Sequence, residues 1–104
     1  MAPAATPLHD LEAVLADRLA VRPADSYSLT LLTDSERAQR KIMEEAFELC
    51  LELGREPVDV ERAASEAADV LFHIVAGLVG AGVTVDAVLS ELSARRGGRT
   101  AERR

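Results

Sequence analysis

The sequence predicts a small all-α protein, a bundle of four to five helices, on three observations. Apolar residues recur at helical spacing, no segment alternates with period two over the length of a strand, and the breaks between periodic segments are short. With 104 residues the chain is one domain, and only three aromatic side chains are available to fill its core. A domain of this size is marginally stable alone, so we expect a homodimer.

The first helix is predicted over about residues 8–20, where leucines and valines recur at helical spacing. Pro23 ends this helix, because proline disfavours a helical conformation in the residue before it. A short helical turn follows, with Ser26 or Ser28 as its cap. Residues 1–7 show no periodic pattern and are expected to be disordered.

A second long helix is predicted over about residues 34–53. Thr33 and Glu36 match the capping box that often opens a helix, because each side chain can bind a free backbone N–H of the first turn. Gly54 follows the last apolar position and is a typical helix end.

The third long helix is predicted over about residues 60–80, with Asp59 as its cap. From Ala67 onward this helix is apolar nearly all round, which is the pattern of a helix buried on most sides. In so short a chain, that pattern favours packing of this helix against a second copy.

The last helix is predicted over about residues 85–96, with Thr84 as its cap. The folded domain is therefore expected to cover residues 8–96. Residues 97–104 contain two adjacent glycines and several arginines, and we expect them to form a flexible basic tail.

Charge and composition exclude several classes of function. The net charge is −6, and five of the twelve basic residues lie in the last ten positions, so the rest of the chain is strongly acidic. Such a surface repels nucleic acid and suits a cation, or an anionic substrate that arrives with its cation. Cys50 is the single cysteine, and we find no signal peptide or bilayer-length apolar run, so a cytoplasmic protein without a membrane partner is expected.

Two pairs of carboxylates lie on neighbouring predicted helices. Glu45 and Glu48 are three residues apart, as are Glu66 and Asp69, and residues at this spacing share a helix face. The pairs lie about 10 and 11 Å from the connecting turn, at about 1.5 Å per residue, so an antiparallel hairpin brings them to one level. Crowded carboxylates must take up protons unless a divalent cation such as Mg²⁺ or Mn²⁺ binds them.

Two other interpretations of these carboxylates remain to be compared. A solvated, charged helix face explains a single Glu-x-x-Glu pair easily, but it explains two pairs at matched height beside apolar residues less well. A di-iron carboxylate bundle requires Glu-x-x-His pairs. The sequence contains none, because His73 follows Asp69 by four residues, and the di-iron interpretation therefore fails.

The spacing of the carboxylates resembles the metal-binding signature of the all-α nucleoside triphosphate pyrophosphohydrolases, the superfamily of MazG and the dimeric dUTPases. The flanking residues narrow the resemblance to the phosphoribosyl-ATP pyrophosphatases of histidine biosynthesis, over about residues 8–96. In chain order, the residues that carry the resemblance are Arg18, Pro23, Ser26, Tyr27, Lys41 with Glu44, Glu45 and Glu48, Glu66 with Asp69 and His73, and Glu91 with Arg95.

The resemblance implies Mg²⁺-dependent hydrolysis of phosphoribosyl-ATP to phosphoribosyl-AMP and pyrophosphate. The cation would neutralise the triphosphate and activate a water molecule, which Glu44 would orient or deprotonate. The implied cation ligands are Glu45, Glu48, Glu66 and Asp69, and the implied catalytic residues are Glu44, Glu45 and Glu48. The implied substrate ligands are Arg18, Ser26, Tyr27 and Lys41, with His73 supporting Asp69 from behind the site.

Residue chemistry alone also allows a plainer interpretation of each substrate ligand. Lys41 is suited equally to an ion pair with Glu45, and Arg18 to a solvated surface position. Ser26 and Tyr27 fit a helix cap. A single histidine in an apolar run, as His73 is, is more often a hydrogen-bonded core residue than a ligand.

The chain departs from the family pattern at Met43, where glycine is usual, and at Phe72, where tyrosine is usual. Met43 could crowd the acidic pair, whereas Phe72 loses only a hydroxyl. Two other functions remain open: a house-cleaning pyrophosphatase for (d)NTPs, which would use the same cation site, and a helical dimerisation module without catalysis.

Overall fold

A computed structural model describes residues 5–96, and over this range the chain forms five α-helices and no strand. The predicted all-α bundle is therefore confirmed. The predicted tail, residues 97–104, lies outside the described residues, as do residues 1–4. The helices are α1 (Pro7–Val21), α2 (Tyr27–Thr33), α3 (Ser35–Leu53), α4 (Val60–Ala81) and α5 (Val85–Arg96).

Side-chain caps set the start of α1 and α4. Thr6 Oγ1 accepts a hydrogen bond from the His9 backbone N–H, and His9 Nδ1 accepts one from the Thr6 N–H over 3.0 Å. This reciprocal pair orders Thr6 and Pro7, so α1 begins earlier than the sequence indicated. Asp59 caps α4 as predicted, because its Oδ1 accepts from the N–H of Arg62 over 3.2 Å.

The predicted cap of α3 was wrong. Asp34, not Thr33, caps this helix, and Asp34 Oδ1 accepts from the N–H of Arg37 over 3.1 Å. Thr33 is the last residue of α2, where its hydroxyl donates to the Leu29 carbonyl over 2.8 Å. A cap residue needs a non-helical backbone conformation, which Asp34 has and Thr33, as part of α2, does not.

Helix α4 is the centre of the bundle and packs against α1, α2 and α3, whereas α5 packs mainly on α1. The buried core joins residues of four helices, because the chain folds α1 and α2 back over the C-terminal half of α4. Its fully buried members are Leu15, Leu31, Leu32, Val75, Ala76 and Val85. The N-terminal half of α4 is left to pack against α3 alone, and this half carries the acidic residues.

Two glycines shape the end of α4. A Cβ on Gly80 would lie 2.7 Å from the Leu32 carbonyl oxygen, so only glycine permits the close approach of α2. Gly82 ends α4 at φ 78°, in the left-handed region that favours glycine. Thr84 then caps α5 as predicted, since its Oγ1 accepts from the Ala87 N–H over 3.0 Å.

Apolar surface that a partner could cover lies on more than one helix. The half of α4 after Ala67 contains the buried residues His73, Val75 and Ala76, which α1 and α2 cover within one chain. Val60 and Leu71 of α4 remain exposed. Exposed apolar residues also lie on α3, where Met43, Phe47 and Leu51 follow one another at intervals of four residues. We call these three residues the α3 stripe.

By length and composition alone, α4 could cross a membrane. The central helix of a soluble helical protein meets the same criterion. Here α4 packs against three other helices and carries Glu66, Asp69 and His73, which would be costly in a bilayer. This arrangement favours a core helix over a membrane span.

Candidate active site

The candidate site lies on the antiparallel hairpin of α3 and α4, which share the most extensive helix interface of the described chain. Ala38 and Ile42 of α3 meet α4 at Gly77, where a Cβ would lie 3.4 Å from Ile42 Cδ1. The two helices therefore lie close together at this point.

Three carboxylates meet at this interface. One ligand oxygen each from Glu45, Glu48 and Glu66 lies within 4.8 Å of the other two. We call these three residues the acidic cluster. Glu48 is exposed, whereas Glu45 and Glu66 are half-buried between the helices. The sequence argument placed these three side chains at one level, and the structure brings them together.

Glu66 is the most constrained member of the cluster. Its Oε2 is buried and has no hydrogen-bond partner among the described residues. Burial raises the pKa of Glu66, and the negative charges of Glu48, Asp69, Glu45 and Glu52 raise it further. A buried carboxylate oxygen without a donor, beside two other carboxylates, is suited to bind a divalent cation.

Asp69 lies outside the acidic cluster, although it was predicted as the fourth ligand. A step of three residues turns an α-helix through about 300°, so Asp69 lies about 60° around α4 from Glu66. Its side chain is exposed, yet its charge contributes to the raised pKa of Glu66. Asp69 therefore borders the cluster.

Lys41 lies one helical turn before the cluster and contacts two glutamates. Its Nζ is 3.2 Å from Glu44 Oε1 and 3.7 Å from Glu45 Oε1. The hydrogen bond to Glu44 is the main reason that the pKa of Lys41 is raised. Glu44 itself is exposed and outside the acidic cluster, so this lysine links it to Glu45.

The sequence argument missed an ion pair on the other side of the cluster. Glu52 is only 5% exposed, and its two carboxylate oxygens accept from Arg62 Nε and Nη2 over 3.3 and 3.2 Å. Arg55 Nε lies 3.0 Å from Glu52 Oε1. These contacts with Glu52 raise the pKa of Arg62, which stays protonated. The sequence did contain a signal for this pair, because Glu52 and Arg62 carry opposite charges and lie near the connecting turn on the two facing helices.

His73 is buried and supports Asp69 through the backbone. Its Nδ1 lies 2.7 Å from the Asp69 carbonyl oxygen, and its Nε2 lies 2.9 Å from the Tyr27 hydroxyl. The imidazole thus links the first residue of α2 to the edge of the acidic cluster. The expected partnership with Asp69 exists, but the carbonyl oxygen makes it, and not the carboxylate.

The remaining predicted substrate ligands lie at or near the break between α1 and α2. Ser26 caps α2, with its Oγ accepting from the Leu29 N–H over 3.2 Å. Ser26 and Tyr27 both line a shallow cavity of about 580 Å³. Arg18 is exposed in the last turn of α1 and does not line this cavity.

The two departures from the family pattern leave the cluster intact. Met43 is 64% exposed and precedes Glu45 by two residues, which places it on the opposite side of α3, so it does not crowd the site. Phe72 packs edge-on against His73, with ring centroids 5.1 Å apart.

Residues 5–96 form an all-helical fold whose central hairpin brings three carboxylates together, and this fold is that of the all-α pyrophosphohydrolase class. Residues 8–96 match the family model described as phosphoribosyl-ATP pyrophosphohydrolase. The chain belongs to that family.

Relatives of the same description come from several organisms. The chain is 35% identical over 92 residues to the phosphoribosyl-ATP pyrophosphatase of Halobacterium salinarum, covering 86% of this chain and 97% of that protein. It is 40% identical over 89 residues to that of Methylobacterium radiotolerans, covering 85% and 81%. It is also 40% identical over 93 residues to that of Cereibacter sphaeroides, covering 88% of each.

Proposed function

We propose that this protein hydrolyses phosphoribosyl-ATP to phosphoribosyl-AMP and pyrophosphate, the second step of histidine biosynthesis. The acidic cluster carries the proposal, because it lies within the 8–96 match and supplies the ligands that a metal-bound triphosphate requires. The names of the relatives support the choice of substrate.

Glu45, Glu48 and Glu66 would hold Mg²⁺ or Mn²⁺, with Asp69 at the border of the site. The buried, unpartnered Oε2 of Glu66 supports this assignment, because a cation would supply the positive charge that this oxygen lacks. When bound, the cation supplies Lewis-acid neutralisation of the triphosphate and a water molecule of lowered pKa.

Lys41 and Glu44 act together on the substrate in this proposal. The ammonium of Lys41 reaches Glu44 and Glu45 and can exchange these exposed contacts for the oxygens of the departing pyrophosphate. Once Lys41 turns to the pyrophosphate, the Glu44 carboxylate is free to orient the attacking water and take its proton. In this proposal Lys41 pairs with the glutamates when no substrate is bound and with the pyrophosphate when substrate is bound, so both interpretations of Lys41 apply.

The phosphoribosyl end of the substrate would lie towards the α1–α2 break. Tyr27 offers an aromatic face that is 46% exposed, and Ser26 lines the same shallow cavity. Arg18, one turn before the end of α1, would meet a phosphate at the rim. These three positions supply the neutral and cationic donors that sugar hydroxyls and a monophosphate require.

The working protein is a cytoplasmic homodimer in this proposal. The α3 stripe exposes Met43, Phe47 and Leu51 to 64%, 64% and 56%. Large apolar side chains at intervals of four residues form a continuous strip along a helix, and a second copy would bury it. Because the acidic cluster lies on the same helix, each site would lie close to the interface.

The test is a substrate panel with purified protein, with and without Mg²⁺, in which pyrophosphate release is measured. We expect turnover of phosphoribosyl-ATP that requires Mg²⁺ and is lost in Glu48→Gln. Glu36→Gln is the matched control, because Glu36 is exposed in the first turn of the same helix and pairs only with Arg40. Rapid hydrolysis of dNTPs without turnover of phosphoribosyl-ATP would identify a house-cleaning enzyme and overturn the proposal.

A further inference from the structure

Glu52 and Arg62 form an ion pair one helical turn from the acidic cluster. Glu52 follows Glu48 by four residues on α3, and Arg62 precedes Glu66 by four residues on α4. The ion pair and the cluster therefore occupy successive levels of one helix interface. The ion pair is the level nearer the connecting turn.

The two levels differ in the positive charge that pairs with their carboxylates. At the first level, guanidinium nitrogens of Arg62 lie 3.3 and 3.2 Å from the two oxygens of a carboxylate that is almost fully buried. At the second level, no arginine or lysine of the described chain pairs with Glu48 or Glu66, and Glu66 Oε2 is buried without a partner. The first level holds the charges of Arg62 and Arg55, whereas at the second level Lys41 reaches Glu45 alone, at 3.7 Å.

We infer that Arg62 is a positioning residue that, together with Arg55, occupies the cation position beside Glu52 and thereby confines a divalent cation to Glu45, Glu48 and Glu66. This inference rests on the proposed function, which places that cation at the acidic cluster. The two-bond guanidinium contact of Arg62 supplies a fixed charge that cannot be deprotonated. Without the two arginines, Glu52 and Glu48 would form a further pair of carboxylates at which a divalent cation binds.

The side chain of Arg62 can be changed without removing the start of α4. Asp59 caps the helix through the backbone N–H of Arg62, which every substitution except proline retains. The Arg62 side chain is 61% exposed, and the α3–α4 interface continues well beyond it to Gly77. Variants at this position are therefore expected to fold.

The experiment counts Mn²⁺ ions bound per chain by electron paramagnetic resonance of free Mn²⁺ during a titration. Arg55→Met/Arg62→Met should bind one Mn²⁺ more per chain than wild type, because Arg55 also lies 3.0 Å from Glu52 and only the loss of both arginines releases this carboxylate. Adding Glu52→Gln to that double variant should return the number to the wild-type value. Arg62→Lys should also keep that number, since a point charge neutralises Glu52 even without two-bond geometry.

Two further variants separate this role from simple support of the fold. Arg40→Met is the matched control, because Arg40 is an exposed arginine that pairs with Glu36 far from the cluster, and its Mn²⁺ binding should equal wild type. Glu52→Gln leaves Arg62 unpaired beside Glu66, so Mn²⁺ should bind about tenfold more weakly with an unchanged number of ions.

The outcomes distinguish this inference from the proposed function. Arg55→Met/Arg62→Met with the same number and affinity of Mn²⁺ ions as wild type, even if less stable to heat, would overturn the inference alone. Should this double variant fail to fold, an unchanged Mn²⁺ affinity in Glu52→Gln overturns the inference instead. A wild-type chain that binds no Mn²⁺ would overturn the proposed cation site, and the inference with it.

Discussion

The Tyr27 hydroxyl donates a hydrogen bond to His73 Nε2 over 2.9 Å and thereby fixes the tautomer of a buried imidazole. The other ring nitrogen, Nδ1, faces the Asp69 carbonyl oxygen, which only accepts, so Nδ1 carries the hydrogen. In this tautomer Nε2 is the acceptor. The imidazole thereby connects α2 to Asp69, the residue that borders the acidic cluster.

Removal of this hydrogen bond should cost stability. Tyr27→Phe leaves the buried Nε2 without a donor and should lower the free energy of unfolding by about 1 kcal/mol, since Tyr27 is half-exposed and water can replace part of the contact. Urea unfolding measures the loss. In a His73→Phe background the same change should cost nothing, and an equal cost in both backgrounds would show that the bond contributes no stability.

Glu66→Gln should change how the metal-free chain responds to pH. Because burial and the charges of Glu48 and Asp69 raise the pKa of Glu66, the folded chain holds this proton more tightly than the unfolded chain does. The stability contributed by the proton is present below the ordinary carboxyl pKa and is lost as pH rises through the raised value.

The neutral amide of Glu66→Gln has no charge to bury, so this variant should melt at a higher temperature than wild type at pH 7 in EDTA. It should also lose the stabilisation that Mg²⁺ gives the wild type. Thermal unfolding across pH 4 to 8, with and without Mg²⁺, measures both effects. Superimposable profiles for the two proteins would contradict the assignment of Glu66 to the cation site.

The sequence predicted the position of the acidic cluster along the two helices better than it predicted which residues form the cluster. Helical rise along a short hairpin placed Glu45, Glu48 and Glu66 opposite one another, and rise depends only on residue number. Glu45 and Glu48 are also three residues apart and both belong to the cluster, so spacing alone does not explain why Asp69 lies outside it. The rotation and tilt of the two helices decide which side chains converge, and no local pattern reveals them.

Competition between neighbouring elements explains the other differences. Thr33 and Asp34 are both good caps, and the choice between them depends on where α2 ends, which is set by its packing on α4. The Glu52–Arg62 pair is separated by ten residues across a loop, so no rule for pairs within one helix identifies it. The predicted dimer contact on α4 stays a prediction, although α1 and α2 cover His73, Val75 and Ala76 of that helix within one chain.

Lys41→Gln should slow catalysis without weakening cation binding. Its ammonium is the cationic group of α3 that contacts both Glu44 and Glu45, so its loss should lower kcat/KM for phosphoribosyl-ATP by about 100-fold. Arg40→Gln is the matched control, because this neighbouring side chain pairs with Glu36 and should have no effect. An equal loss in both variants, or Mn²⁺ binding reduced by Lys41→Gln, would contradict this role.

Gly80→Ala should destabilise the bundle at the α2–α4 crossing. The added Cβ would lie 2.7 Å from a backbone oxygen of Leu32, which cannot move without shifting α2, so we expect a loss of about 1–3 kcal/mol in the free energy of unfolding. Gly77→Ala is the matched control, since its Cβ meets the flexible end of Ile42 at 3.4 Å. Equal losses by chemical denaturation at both positions would show that the crossing tolerates a methyl group.

Phe47→Arg should convert the proposed dimer into a monomer. Phe47 is the central member of the α3 stripe and is 64% exposed in the single chain, so a charge there would have to be buried at the interface without a partner. Light scattering at micromolar concentration should give the mass of two chains for wild type and of one for the variant. Val21→Arg changes an equally exposed residue at the end of α1, away from the stripe, and should remain dimeric. A wild-type chain that is monomeric under these conditions would contradict the role of the stripe, because Phe47 would then be exposed to water without a partner.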